Sequence, residues 1–487
     1  MRIAIIGGGI AGLAAAYELE KTRQSGVPVE YELYEAGPRL GGVIASMVVN
    51  GPGAEQTVLE LGPDSFLTEK PAAIELCREL GLGDDLVRSN DAERKTFILV
   101  GKRLVALPDG LMFLVPTKLL PTALTGLFSW PTKIRMGLEL LHPPRPHVGD
   151  ESVAALVKRH YGQEAVDRLA DPLLSGIYGG DSAQLSAQAV LPRMVELETK
   201  YGSLTKGMLA GMRAAAQAKA AASSSGKVAE PRPLFTTLRN GLQQLVDAVV
   251  GRLDASRLHL QSPIGGLSRV GAQWALVGAE GVAEGLAEDL FDAVIVATPA
   301  WSAANLLGGV DSALAEELGG IPYSSSITVN LMYDGAEFDA LPPGFGFLVP
   351  VVEGRAMLAC TFLHRKFPGR TAVGKTVLRA FLGGARNAGL LAESDEVLTR
   401  IVRKELFEIL QISVAPERVE ITRWPRAMAQ YAVGHKDRQI RIQNRLSELP
   451  GLRLAGNAYD GIGISDCIRL GRGAARELVA ENTSTRA

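Results

Sequence analysis

A chain of 487 residues, 47% hydrophobic and 21% charged, exceeds what one core usually supports, so two or three domains are expected. Its formal net charge of -2 carries no polyelectrolyte footprint and argues against nucleic acid as a partner. The cysteines, Cys77, Cys360 and Cys467, form no CxxC pair and no metal-ligand cluster, and they read as buried reduced thiols.

Ile3 to Ile6 is a short apolar run that ends at glycines, which reads as a buried parallel strand. Gly7-Gly8-Gly9-Ile10-Ala11-Gly12 follows and opens an Ala-rich helix. The GxGxxG spacing makes a tight turn, lets backbone approach a pyrophosphate, and seats the helix on the strand. Phosphates are expected at that helix start, where N–H groups and the dipole favour negative charge. Glu30 to Glu35 supplies a second strand with Glu35 at its end, either the acid for a ribose hydroxyl or a solvated strand-end acid. Met1 stands almost at the first strand, so no secretory leader is expected.

Further along, Asn50-Gly51-Pro52-Gly53 signals a turn between two strands, and Pro71 to Leu80 a helix. Thr96 to Val105 reads as a hairpin around Gly101-Lys102. Leu104 to Leu141 is apolar but punctuated by Pro108, Pro116, Pro121 and Pro131, and no run is long enough to span a membrane. It is expected to face the core or line an apolar cavity, with weak membrane contact as the alternative. Pro116 to Leu209 is mainly helical, and Ala210 to Pro233, rich in Ala, Ser and Lys, reads as a mobile loop or frayed helix. Asp292 to Pro299 is a buried strand of the kind that lies beneath a cofactor. Ile327 to Tyr333, Phe345 to Pro350 and Ala356 to Phe362 suggest a mostly antiparallel second sheet. Ile464 to Ala480 begins a final helix.

Glu35-Ala36-Gly37-Pro38-Arg39-Leu40-Gly41-Gly42 resembles the glutathione-reductase-type flavoproteins, specifically the amine-oxidase-like superfamily. The resemblance implies that Ala36, Arg39 and Gly42 lie near the FAD phosphates; a plain turn is the alternative. Four further stretches resemble the oxygen-dependent porphyrinogen oxidases, nearest the Gram-positive coproporphyrinogen III oxidases. They are Leu61 to Phe66, Pro172 to Asp181, Gln430 to His435, and Gly456 to Ile468. That family implies an α/β fold, an FAD-binding Rossmann-like domain with inserted substrate-binding and helical domains. The expected boundaries are 1–90, 235–300 and 418–487 for the FAD domain, 91–210 for a largely helical domain, 211–234 for the loop, and 301–417 for the substrate-binding sheet.

The resemblance also implies FAD contacts at Gly62, Pro63, Asp64, Ser65, Ile264, Trp424, Ile462, Gly463 and Ile464. It implies a tetrapyrrole wall of Phe66, Lys70, Ile177, Tyr178, Phe345, Gly346 and Leu348. Trp424 offers a flat face to the isoalloxazine or packs in the core; Lys70 meets a propionate or is a solvated helix-start lysine. Two positions depart from the family pattern. Thr96 stands where protoporphyrinogen-type members tend to have arginine, and Ala429 where the family usually has proline. The activity this resemblance implies is FAD-dependent oxidation of coproporphyrinogen III to coproporphyrin III by dioxygen in haem biosynthesis, in the cytoplasm, by a monomer or homodimer. Protoporphyrinogen IX is the alternative substrate; an amine oxidase or desaturase, or a non-catalytic tetrapyrrole binder, is the more remote alternative. No side-chain acid or base and no metal constellation is expected.

Overall fold

The computed structural model describes residues 1–51, 55–112, 114–146, 149–223, 233–279, 289–335 and 341–486. Strand β1 (Arg2–Ile6) pairs in parallel with β2 (Glu30–Tyr34) on one side and with Ala293–Val296 on the other. Leu258–His259 and Leu452–Leu454 complete a five-stranded parallel sheet at its two edges. Helix α1 (Ile10–Gln24) is buried on nearly every side, because it packs against this sheet and against the C-terminal helix Ile464–Arg486. Gly471 permits that crossing: a methyl group there would overlap the Ala11 carbonyl. The sheet's other face is covered by the helices Ala300–Leu307 and Ser312–Gly319. A parallel sheet with apolar strands requires this double cover.

A second sheet has seven strands. Their spatial order is Arg418–Ala429, Tyr323–Asp334, Lys375–Gly383, Met357–Phe362, Gly346–Leu348, Thr96–Val100 and Arg103–Ala106. It is antiparallel except where Gly346–Leu348 runs alongside Thr96–Ile98. The helix Asp395–Leu410 buries Leu398, Val402 and Leu406 against one face. A third core gathers the helices between Trp130 and Tyr201 around Leu156, Tyr161 and Leu169.

These pairings redraw the boundaries expected from sequence. The Thr96–Ala106 hairpin and Arg418–Ala429, expected in two other regions, are both strands of the seven-stranded sheet, the latter at its edge. Ala300 to Gly319, placed at the start of the sheet domain, packs instead on the parallel sheet. A strand's alternation shows which face it buries but not which distant strand it joins. The Ala/Ser-rich stretch is helical through Ser223, within Leu204–Ser223, since Ala, Met and Lys carry high helix propensity. Its continuation, 224–232, lies outside the described residues.

The apolar stretch is also corrected. Leu114, Val115, Leu127, Phe128 and Met136 turn inward, but Leu120, Leu124, Trp130, Ile134 and Leu141 are 62–75% exposed. The stretch is amphipathic rather than core-facing throughout. Among the described residues, no helix is long and apolar enough to cross a membrane.

Candidate functional site

The glycine turn after β1 is built for close approach. Gly7 has φ +106, and a methyl group there would overlap the Ala297 carbonyl. At Gly12 it would overlap the Gly7 carbonyl, so this glycine lets α1 sit down on the strand. Gly9, the residue before α1, differs: nothing lies within 4 Å of where its Cβ would be, and no side chain caps the helix. The helix start at Gly9 is thus open on its Cβ side and carries the positive end of the helix dipole.

Glu35 is not a solvated acid. Its carboxylate accepts the Gly8 N–H at 2.7 Å through one oxygen and the Gly37 N–H at 2.7 Å through the other. Ala36 is exposed beside it. Arg39 donates to the carbonyls of Ile44, at 2.9 Å, and of Gly42, folding the loop so that Gly41 bridges to Gly9. Gly42 adopts φ +59 there, close against Gly9. Ser262 donates to the Glu35 carbonyl at 2.9 Å, which brings Ile264, paired with Gly278, alongside the same turn.

The seam between the two sheets holds Gly62 to Ser65. Lys366 donates to both oxygens of Asp64, at 3.0 and 2.9 Å, and Arg379 stands 3.6 Å away while also donating to the Gly62 carbonyl. Burial alone would push the Asp64 carboxyl up; the charges of Lys366 and Arg379 and the hydrogen bonds from Ser65 and Lys366 outweigh it and hold it below the usual range. The Asp64 carboxylate is therefore committed to protein cations. Trp424 donates its ring N–H to Leu61 at 2.8 Å and lies half-buried against Gly62, and Thr328 donates to the same carbonyl at 2.7 Å. One step back, Glu60 and Arg370 form a wholly buried pair at 2.6 Å. Pro63 is half-buried between these groups.

The C-terminal helix begins at the same seam. Asp466 accepts the Gly463 N–H at 3.2 Å and the Lys70 ammonium at 2.6 Å, closing the turn Ile462-Gly463-Ile464. A carboxylate at that position leaves the helix start suited to a neutral polar group rather than to a phosphate. Tyr178 lies within reach of the Asp466 field: burial first, then that charge, pushes its hydroxyl up to about 12. Gln430 fixes the Tyr178 carbonyl at 2.7 Å, and the Tyr431 ring stands 6.3 Å from the Tyr178 ring.

Of the expected substrate-wall residues, Tyr178 and Leu348 pack on one core where the helix Asp171–Tyr178 approaches the strand Gly346–Leu348; Leu348 packs on Gly176, and the neighbouring Ile177 is 46% exposed. Gly346 has φ +143, and a methyl group there would overlap the Cys360 carbonyl. Phe345 is buried at the head of the same strand. Phe66 is not with them: it fills the core under α1, with Ile44 and Ala73. Lys70 is bound to Asp466 rather than simply solvated. Thr96 pairs with Gly346, and Ala429 ends the edge strand opposite Tyr323.

Lys366, Arg379, Glu60 and Arg370 were not legible as site residues. The one local signal was Arg379, a charge inside the apolar strand run Thr376 to Gly383. The fold also brings His160 beside Glu139 and His142, a grouping that could hold a metal ion.

An FAD fits this arrangement. Gly9 leaves room at an uncapped helix start, Glu35 stands at the strand end, and the buried Tyr459 Oη and Arg379 Nε have no partner among the described residues. The flavin containing amine oxidoreductase family matches residues 10–479. The chain is 34% identical to the coproporphyrinogen III oxidase of Bacillus subtilis (strain 168), over 98% of this chain and 97% of that one. It is 30% identical to protoporphyrinogen oxidase 1, chloroplastic, of Spinacia oleracea, over 98% and 83% respectively. A crystal structure from Exiguobacterium sp. 255-15, assigned as a protoporphyrinogen oxidase, superposes with a TM-score of 0.84 at 32% identity and covers 99% of both chains. The uncapped glycine turn, the strand-end acid and the end-to-end match agree: the chain belongs to the flavin containing amine oxidoreductase family and is an FAD-binding oxidoreductase of α/β fold.

Proposed function

We propose that the chain oxidises coproporphyrinogen III to coproporphyrin III in haem biosynthesis, removing six electrons while three dioxygen molecules become three hydrogen peroxide. The observation that carries this reading is the end-to-end match to the B. subtilis coproporphyrinogen III oxidase. Bound FAD supplies the hydride-accepting and oxygen-reducing chemistry. The chain's residues bind and orient. The Gly7 to Gly12 turn takes the pyrophosphate, Glu35 the ribose side, and Ala36, Arg39 and Gly42 shape the loop above them. Ile264 borders the adenine. Gly62, Pro63, Asp64, Ser65, Trp424 and Ile462 to Ile464 line the flavin, with Lys366 and Arg379 holding Asp64 in place. Ile177, Tyr178, Phe345, Gly346 and Leu348 form an apolar wall for the macrocycle, and Lys70 offers its rim a cation. Phe66 acts from behind, by supporting the Ser65 backbone. No side chain is assigned as acid or base.

The spinach relative favours a second reading, protoporphyrinogen IX as substrate. Thr96 favours the first, since it leaves room where that branch tends to place an arginine. Steady-state peroxide release on the two porphyrinogens, side by side, decides between them. The expected result is a higher kcat/KM for coproporphyrinogen III; the reverse preference overturns the substrate while leaving the flavin chemistry standing. We assign the protein to the cytoplasm, with the exposed Leu120, Leu124, Trp130, Ile134 and Leu141 face giving weak membrane contact. Flotation with anionic vesicles should lift wild-type protein and not a Trp130→Ser, Ile134→Ser variant.

A further inference from the structure

Far from the glycine turn in sequence, three metal-ligand side chains converge in the helical region. Glu139 opens the short turn Glu139–Leu141, His142 follows that turn directly, and His160 lies in the last turn of the helix Val153–Tyr161. One ligand atom from each lies within 4.8 Å of the other two. We propose that Glu139, His142 and His160 form a site for a divalent transition-metal ion of the zinc class.

The donor set is right for such an ion: one carboxylate and two imidazoles, with His142 half-buried and the other two buried. Glu139 Oε1 and His160 Nδ1 are 3.0 Å apart. A tetrahedral ion with bonds of about 2.0–2.2 Å needs its ligand atoms roughly 3.3 Å from one another. That pair is already spaced for it. His142 has to close the remaining gap: among the described residues its ring has no hydrogen bond to break and tilts against His160, with centroids 5.1 Å apart.

The groups behind the ligands are built in as well. His160 Nε2 faces Glu198 Oε1 at 3.1 Å, and Arg159 holds that carboxylate at 2.9 Å. A carboxylate on the far nitrogen orients an imidazole so that the near nitrogen can bind metal. Glu139 is held by the Ser203 hydroxyl at 2.8 Å and by the Leu204 N–H at 2.5 Å. The same carboxylate thereby caps the helix Leu204–Ser223 from a distance.

A purely structural ion network explains Glu139, Glu198 and His160, since each has hydrogen-bond partners without a metal. It gives His142 no role. That difference makes His142 the test. Tag-free, flavin-loaded protein is stripped with a chelator, supplied with zinc sulfate, passed through a sizing column and analysed for zinc. Wild type should retain one zinc per chain and unfold at higher temperature than the stripped protein. His142→Ala should keep its flavin and fold but retain at least about tenfold less zinc, and Glu198→Gln should weaken zinc binding by about 10- to 100-fold. Wild type without stoichiometric zinc overturns the site, as does equal retention by wild type and His142→Ala.

Discussion

At the glycine turn Gly7 and Gly12 pack against backbone, whereas the seam to the antiparallel sheet is fastened by buried charge. Gly7, Gly12 and Gly471 each sit where a single methyl group would overlap a carbonyl oxygen, so these contacts in one half of the molecule depend on the absence of side chains. The other half is held by their presence: Glu60 on Arg370, and Asp64 on Lys366 and Arg379. The difference teaches what each region tolerates. Small residues confer close packing and fail when enlarged; buried ions confer register and fail when one partner is removed.

The largest effect expected is at the charged seam. Arg370 and Glu60 are both fully buried, so Arg370→Met leaves a carboxylate in the core without its cation. Breaking such a pair costs about 3–5 kcal/mol, while replacing both partners by apolar groups of similar volume costs far less. The denaturant midpoint of Arg370→Met should fall accordingly, and the double variant Glu60→Leu, Arg370→Met should recover much of the loss. Equal losses in the two would mean that the pair is valued for its shape, and the contrast with the glycine turn would collapse.

Next comes the backbone side. Gly12→Ala forces a methyl group onto the Gly7 carbonyl, where neither α1 nor β1 can move without disturbing the core around Leu13 and Ile5. Overpacking of this kind costs about 1–3 kcal/mol and here belongs at the top of that range. Gly9→Val makes the opposite case, because its side chain enters open space. The expected product is folded, colourless protein with near-normal melting. A Gly9→Val protein that is still fully yellow would show that the pyrophosphate lies elsewhere.

These two regions were not equally legible. The turn could be read directly because its information is local: strand, glycines, helix and acid fall within Ile3 to Glu35. The fold class followed from it. The seam could not be read, since Asp64 and Lys366 are separated by 302 positions and Glu60 and Arg370 by 310. A lone Lys or Glu in a sequence says nothing about its partner. The same limit hid the sheet membership of Thr96 and Arg418. At Leu120 and Trp130 the limit is different: hydrophobicity does not by itself imply burial, so the core-facing expectation fails there while its membrane-contact alternative stays open.

A smaller effect separates the two cations on Asp64. Its carboxyl is held below the ordinary range despite burial, chiefly by the charges of Lys366 and Arg379. A depressed folded value stabilises above the unfolded pKa of about 4 and loses that stabilisation as pH falls through the folded value. Lys366→Met removes one source and leaves Arg379 at 3.6 Å, so the cost at neutral pH should be about 2 kcal/mol, less than for Arg370→Met. The variant's stability should also fall less steeply than wild type below pH 4. An unchanged acid slope would assign the depression to Arg379 alone.

The smallest effect tests whether the charge logic of the seam extends to the substrate rim. Lys70 already pairs with Asp466 at 2.6 Å, and its side chain is 43% exposed. A cation so placed is partly neutralised and well screened, and an exposed pair is worth about 0–1 kcal/mol. Coproporphyrinogen III carries four propionates and protoporphyrinogen IX two, so a rim cation matters more to the former. Lys70→Ala should lower kcat/KM a few-fold for the four-propionate substrate and less for the other, with flavin content unchanged. Asp466→Asn should act in the reverse sense on binding, by freeing Lys70, although it also loosens the Gly463 turn. The two variants together distinguish a rim cation from a lysine that merely fastens the C-terminal helix. In the second case both substrates lose equally in Lys70→Ala, and the loss follows melting temperature rather than substrate charge.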